Sequence, residues 1–228
     1  MKIIFFDIDG TLICGGSELM SESTKEAIRI ARANGHICMI NTGRTKRLVG
    51  ENLTGQVEFD GLLLGCGTEI QYHGKQLMHK TFSMEESKAI LAVMKKYHVD
   101  AVLEGSREDY APRGEEVFTE TFRHMAREIE YRKYDRYANA PGNYDKLYAY
   151  AETPAGMVGM KHDLSEILDF IDREQGFYEI VPKGYSKATA IEWTLRHYGI
   201  DFEDAYVFGD SSNDLSMFEY AKHAVLMG

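Results

Sequence analysis

Asp7 and Asp9 stand two residues apart at the end of the apolar run Ile3-Ile4-Phe5-Phe6, with Gly10-Thr11 directly behind them. Two carboxylates, a flexible backbone and a hydroxyl in so short a string can hold a cation, supply a nucleophile or pass a proton. Residues two apart on a strand share a face, so the spacing predicts that both carboxylates converge on one small volume. Two anions held close in a dry pocket need a positive partner. A calcium loop would require further oxygen ligands at alternating positions, a closing Glu and flanking helices, whereas an apolar strand precedes this string. Mg²⁺ suits it better, being held by one or two carboxylates plus waters and phosphate oxygens. Taken alone, the string is equally consistent with a turn in which Asp and Gly make only local hydrogen bonds.

Three later segments carry further chemistry. Asn41-Thr42-Gly43-Arg44 follows the apolar run Ile37-Cys38-Met39-Ile40, Lys187 closes Lys183-Gly184-Tyr185-Ser186-Lys187, and Gly209-Asp210-Ser211-Ser212-Asn213-Asp214 follows Ala205-Tyr206-Val207-Phe208. Singly, each has an ordinary explanation. Thr42 reads as a helix-capping hydroxyl, Lys187 as a solvated helix lysine, and Asp210 and Asp214 as loop and helix N-terminal charges.

In their order along the chain, these four segments resemble the four motifs of the haloacid dehalogenase (HAD) superfamily, whose members mostly transfer phosphoryl groups through an aspartyl-phosphate. Asp7-Ile8-Asp9-Gly10-Thr11-Leu12 resembles motif I, Thr42 the motif II hydroxyl, Lys187 the motif III lysine, and the Asp210 to Asp214 loop motif IV. The matches run from near the N-terminus to near the C-terminus, so the resemblance covers essentially the whole chain.

The resemblance implies Mg²⁺ as cofactor, held by Asp7, Asp210, Asp214 (directly or through water) and the backbone carbonyl of Asp9. It implies Asp7 as the nucleophile, and Asp9 as the acid for the leaving alcohol and then the base for water. Gly10, Thr42, Gly43, Lys187 and Asn213 are implied as phosphate-binding residues. The chemistry accounts for these residue types. Phosphoryl transfer depends on positioning and on neutralising charge spread over the equatorial oxygens.

The elements that must deliver these residues alternate. Ser23-x-x-Glu26 predicts a capping box opening an amphipathic helix through Ala33, with Gly35 to stop it. A strand from Ile37 to Ile40 delivers Thr42, Gly61 to Cys66 reads as a third core strand, and Glu69 to Met78 as a hairpin turning near His73-Gly74. Strand, helix, strand, helix, strand is the rhythm of an α/β protein with a doubly wound parallel sheet, and such sheets bind ligands beyond the carboxyl ends of their strands.

Residues 82–181 form a long insertion between motifs II and III, leaving 1–81 and 182–228 as a discontinuous core. The insertion opens with the capping box Ser83-x-x-Glu86 and a helix to Tyr97. Strands at Ala101 to Leu103, Lys146 to Ala151 and Phe177 to Val181 and helices at Arg113 to Glu128 and Leu164 to Glu174 are expected, enough for a separate α/β domain. The insertion resembles the α/β cap of Cof-type HAD phosphatases, which lies over the active site, and caps exclude water when they close. Substrate choice is therefore expected there. The polar stretch from Glu104 to Arg113 reads as a loop, and Arg44, Arg107 and Arg113 are the candidate specificity residues. The tyrosines at 131, 134, 137, 144, 148 and 150 could form a stacking surface or pack at strand edges.

Composition sets limits. The 228 residues are 44% hydrophobic, enough for a real core. A formal net charge of −10 argues against broad nucleic-acid binding, but not against a small phosphorylated metabolite as partner. No run reaches membrane-span length and Lys2 to Phe6 is too short for a signal peptide, so a cytoplasmic location is expected. Cys14, Cys38 and Cys66 are too scattered for a redox or metal motif, and the sequon at Asn52-Leu53-Thr54 has no secretory context.

Two departures from the family pattern stand out. Cys66-Gly67 occupies the place of the usual Asn-Gly pair, and the chain ends at Leu226-Met227-Gly228 where relatives continue through a further helix and strand, which predicts a less protected sheet edge. The reading that follows is Mg²⁺-dependent hydrolysis of a sugar phosphate or phosphorylated cofactor precursor. A sugar phosphomutase and a phospho-ligand sensor remain as alternatives, because folds and motifs are shared among activities.

Overall fold

In a computed structural model describing residues 1–112, 117–128, 132–133 and 142–227, the chain divides into two units. The first is Met1–His79 with Tyr185–Gly228, and the second Lys80–Gly184. In chain order the first unit begins with β1 (Ile3–Phe6), α1 (Glu22–Ala33), β2 (Ile37–Asn41), α2 (Glu51–Thr54), β3 (Gly61–Leu64), β4 (Glu69–Tyr72) and β5 (Lys75–His79). The second unit follows with α3 (Met84–Tyr97), β6 (Val99–Glu104), β7 (Asp109–Ala111), α4 (Glu120–Glu128), β8 (Arg132–Lys133), β9 (Lys146–Ala151), α5 (Pro154–Leu164), β10 (Leu168–Asp172) and β11 (Phe177–Pro182). The chain returns to the first unit through α6 (Lys187–Tyr198), β12 (Ala205–Gly209), α7 (Leu215–Tyr220) and β13 (His223–Leu226).

The first unit is a seven-stranded sheet in the order β13-β12-β1-β2-β3-β4-β5. β13 through β3 are parallel, and β4 and β5 add an antiparallel hairpin. Alternation along the strands sends side chains to both faces. Ile3, Phe5, Met39 and Val207 pack with Ile191 and Leu195 of α6, while Cys38 and Ile40 pack with Ile28 of α1. Helices on both faces make the sheet doubly wound, as the periodicity predicts. Full burial of an Ile or Phe side chain stabilises by about 1.5–3 kcal/mol, so these clusters outweigh surface ion pairs in holding the site's floor.

Register sets the site. Phe6 pairs with Ile40 on one side and with Phe208 on the other. The residues that follow, Asp7, Asn41 and Gly209, therefore stand at one level on the carboxyl edge of the sheet.

The second unit is a six-stranded sheet ordered β10-β11-β9-β6-β7-β8, antiparallel except for β7 with β8. One face packs α3 and α5 through Ile90, Met94, Leu103, Leu147, Met157 and Ile180. The Ser83/Glu86 capping box forms as expected. Among the described residues, no helix is long and apolar enough to cross a membrane.

Several local expectations are corrected. The helix over Leu164 to Glu174 is instead α5 followed by β10. Thr153 caps and Pro154 starts α5, ending it by Leu164, and Leu168 and Phe170 alternate toward the core against β11. Ser21 rather than Ser23 caps α1, accepting from Thr24 N at 3.1 Å. The helix over Arg113 to Glu128 is confined to Glu120–Glu128 among the described residues, because Asp100 takes the Phe118 and Thr119 amides and the Thr119 hydroxyl accepts from Phe122 N. The loop from Glu104 contains β7, with Asp109 buried and accepting from Gly105 N. Tyr144 is fully buried and Tyr148 stacks on Phe177, both as packing residues. Arg113 and the tyrosines at 131, 134 and 137 lie outside the described residues.

Candidate active site

Strand β1 ends at Phe6, so Asp7 and Asp9 do not share a strand face. Asp7 N donates to Phe208 O at 2.9 Å, continuing the sheet ladder by one bond. The chain then folds into a turn in which Ile8 O accepts from Thr11, Leu12 and Ile13 N. Ile8, Leu12 and Ile13 anchor this turn in the core, which leaves Asp9 and Gly10 exposed. Each carboxylate meets a cation of its own.

Asp7 faces Lys187. The lysine Nζ lies 2.6 Å from Asp7 Oδ1, donates to Asn213 Oδ1 at 3.3 Å and pairs with Asp214. Lys187 is the first residue of α6, where Ser186 caps the helix by accepting from Thr189 N, and Asn41 Nδ2 holds the Lys187 carbonyl at 3.1 Å. The ammonium has no measurable exposure. Burial works against its charge, but Asp7 and Asp214 outweigh that and hold it protonated, above the usual lysine range. Burial pushes the Asp7 carboxyl up to about 6, aided by the charge of Asp214 and opposed by Lys187.

Asp214 is fully buried, and its second oxygen accepts from the amides of Asp210 and Ser211 at 3.0 Å each. Ser211 Oγ donates to Asn213 Oδ1 at 2.8 Å. Asp214 thus shapes the loop and neutralises Lys187, while Asp210 carries the less committed carboxylate. Carboxylate oxygens of Asp7, Asp210 and Asp214 lie within 4.8 Å of one another. An all-oxygen set of this kind, with one buried ammonium against three carboxylates, fits a hard divalent cation such as Mg²⁺. Gly10 is required for it. Its φ is +84°, and a Cβ would stand 2.1 Å from Asp210 Oδ2. Gly209 is constrained similarly by Asp214, whose Cγ would lie 2.6 Å from a Cβ.

Thr42 is buried just beyond β2, its carbonyl accepting from Cys66 N at 3.0 Å and its hydroxyl from Arg44 N at 3.1 Å. Gly43 beside it is buried. Cys66 takes φ 55°, a left-handed conformation that Asn adopts more readily, which is the physical content of the departure at Cys66-Gly67. Arg44 does not stand free. Its Nε and Nη2 donate to Asp9 Oδ2 and Oδ1 at 2.8 and 2.5 Å. Arg107 is exposed in the second unit.

The first unit therefore brings together Asp7, Lys187, Asn213, Asp214 and Asp210, with Thr42 and Gly43 on the adjoining loop and Asp9 joined to Arg44. Three supporting residues carry weak sequence signals. Thr11 donates to Asp210 at 3.2 Å, Asn41 holds Lys187, and Ser211 braces Asn213. The Ser211-x-x-Asp214 spacing is a capping-box pattern that reveals the last of them.

A family model for haloacid dehalogenase-like hydrolases matches residues 4–228. A Streptococcus pyogenes protein whose name couples a phosphatase with a peptidyl-prolyl cis-trans isomerase is 23% identical over 233 residues, covering all of this chain. The chain spans about half of that relative's length, 48%. The 5-amino-6-(5-phospho-D-ribitylamino)uracil phosphatase YitU of Bacillus subtilis is 25% identical over 238 residues, covering 99% of this chain and 86% of its own. Among solved structures, a sugar phosphatase of HAD subclass IIB, BT4131, superposes with a TM-score of 0.79 at 23% identity, over 99% of this chain and 87% of the other.

Proposed function

The chain belongs to the haloacid dehalogenase-like hydrolase family; from that premise we propose that it is a phosphatase, hydrolysing a small phosphorylated metabolite through a phosphoryl group carried on Asp7. The observation that supports this most directly is the buried Asp7 carboxylate held 2.6 Å from Lys187, beside the Asp210 and Asp214 oxygens. A bound Mg²⁺ would supply charge neutralisation for the phosphate and the developing transition state. Asp7, Asp210 and the Asp9 carbonyl are the groups proposed to hold it, with Asp214 acting through water or through the loop.

In the first step an Asp7 oxygen bonds to phosphorus as the bond to the leaving oxygen breaks, and Asp9 gives that oxygen a proton. In the second, water gives a proton to Asp9 and attacks phosphorus, breaking the bond to Asp7 and releasing phosphate. Thr42, Gly43, Gly10, Asn213 and Lys187 are proposed to cradle the phosphoryl oxygens. Sugar phosphates and phosphorylated cofactor precursors are the favoured substrates; in support, one similar structure is named a sugar phosphatase and one relative a 5-amino-6-(5-phospho-D-ribitylamino)uracil phosphatase. The inserted unit, residues 82–181 by the sequence boundaries, is proposed as a cap domain, with Arg107 and Arg113 as candidates for substrate contact.

The test is phosphate release from a panel of phosphorylated metabolites with and without Mg²⁺, with Asp7→Asn as control. Mg²⁺-dependent release that disappears in the variant supports the reading. Release that persists in the variant, or phosphoryl transfer to a second sugar with none freed to water, overturns it.

A further inference from the structure

The Asp9–Arg44 pair is built to a higher standard than its energetics explain. Asp9 has a side chain 60% exposed and Arg44 one 27% exposed, and a pair so open to water stabilises a fold by only about 0–1 kcal/mol. Yet both partners are fixed. Arg44 is tied at its backbone by N–H donation to Thr42 Oγ1 at 3.1 Å and by accepting from Gly65 N at 2.9 Å. Its guanidinium spends Nε and Nη2 on the two oxygens of Asp9, and Nη1 on Leu48 O at 3.3 Å. Asp9 sits in the turn closed by Gly10 N donating to Ile13 O at 2.8 Å.

We infer that Arg44 is a positioning residue that aims the Asp9 carboxyl at the leaving oxygen, a role distinct from substrate recognition. The planar fork of Arg matches a carboxylate with two parallel N–H bonds and fixes the plane of the group as well as its place. This inference rests on the phosphatase reading above. It deepens that reading by predicting a substrate with an alkyl leaving group, whose oxygen cannot depart without a proton.

The experiment measures kcat/KM, which reports the steps through phosphorylation of Asp7. Wild type, Arg44→Met, Arg44→Lys, Asp9→Asn and the double variant Asp9→Asn/Arg44→Met are compared on two probes. One is a sugar phosphate turned over by the wild type, and the other is p-nitrophenyl phosphate, whose phenolate leaves without a proton. Arg44→Met is expected to lose about 100-fold on the alkyl ester and less than about 10-fold on the aryl ester. Arg44→Lys, a point charge without the fork, should recover only part of the loss. In the Asp9→Asn background the Arg44 change should add less than about threefold, because its target has gone. Equal losses on the two esters, or full multiplicative losses in the double variant, would overturn the assignment while leaving the phosphatase intact. Absence of wild-type release from every phosphorylated metabolite of the panel and from p-nitrophenyl phosphate would overturn the phosphatase reading itself, and the positioning role with it.

Discussion

Lys187 Nζ lies 2.6 Å from Asp7 Oδ1 with both side chains buried, although the residues are separated by 180 positions in sequence. The contact joins the first strand to the helix that follows the insertion. Its chemistry makes Asp7→Asn the primary test. The amide keeps the shape and can still meet Lys187, but it has no nucleophilic charge. Phosphate release is expected to fall by about 10⁴-fold or more, while thermal unfolding stays cooperative and within a few degrees of the wild type. Retained turnover would exclude a phosphoryl-Asp7 intermediate.

Much of this site was legible because its parts are local strings. Asp7 to Leu12, Asn41 to Arg44 and Asp210 to Asp214 each follow an apolar strand, and the parallel register of Phe6 with Ile40 and Phe208 turns three separate strings into neighbours. The Asp9–Arg44 pair was not legible, since the residue types alone leave Arg44 free to meet substrate, and only the turn at Ile8 and the anchoring of Arg44 beside Thr42 decide its partner. The α5–β10 segment is ambiguous in sequence for a related reason. Leu164 and Leu168 are four apart, as in a helix, yet Leu168 and Phe170 are two apart, as in a strand, and pairing with β11 settles the ambiguity.

Replacing the cation of the buried cluster tests its electrostatics. Lys187→Met leaves Asp7 and Asp214 facing each other without their ammonium. Removing one partner from such a cluster costs about 3–5 kcal/mol at neutral pH. Urea denaturation should show that loss at pH 7.5 and a smaller one at pH 5, where a carboxyl can protonate. An equal loss at both pH values would show that packing, not charge, is what the lysine supplies.

Gly10→Ala and Gly199→Ala separate backbone strain from steric exclusion. Both glycines have positive φ, +84° and +63°, but a Cβ at Gly199 meets nothing within 4 Å, whereas at Gly10 it meets the Asp210 carboxylate. Each variant should lose about 1–2 kcal/mol of stability from the left-handed backbone. Only Gly10→Ala should also raise the Mg²⁺ concentration needed for half-maximal activity, by about 10- to 100-fold. Equal metal dependence in the two variants would remove Asp210 from the proposed metal site.

Asp7 gives the protein a pH dependence of unusual sign. Its folded pKa, about 6, stands above the ordinary 3.8 because burial penalises the anion. A group raised in this way adds stability that is complete below its unfolded pKa and is lost as pH rises through about 6. In the metal-free protein, therefore, this contribution falls between roughly pH 4 and 6, by at most on the order of 3 kcal/mol. Mg²⁺ acts oppositely, since it needs the ionised carboxylate, so the rise in Tm on adding Mg²⁺ should be large at pH 7.5 and shrink below pH 6. Melting curves from pH 4 to 8, with EDTA and with Mg²⁺, check both slopes. In Asp7→Asn the pH-dependent part of the EDTA curve that belongs to this group should vanish, and a Mg²⁺ shift that stayed constant across the range would mean that Asp7 does not ligate the ion.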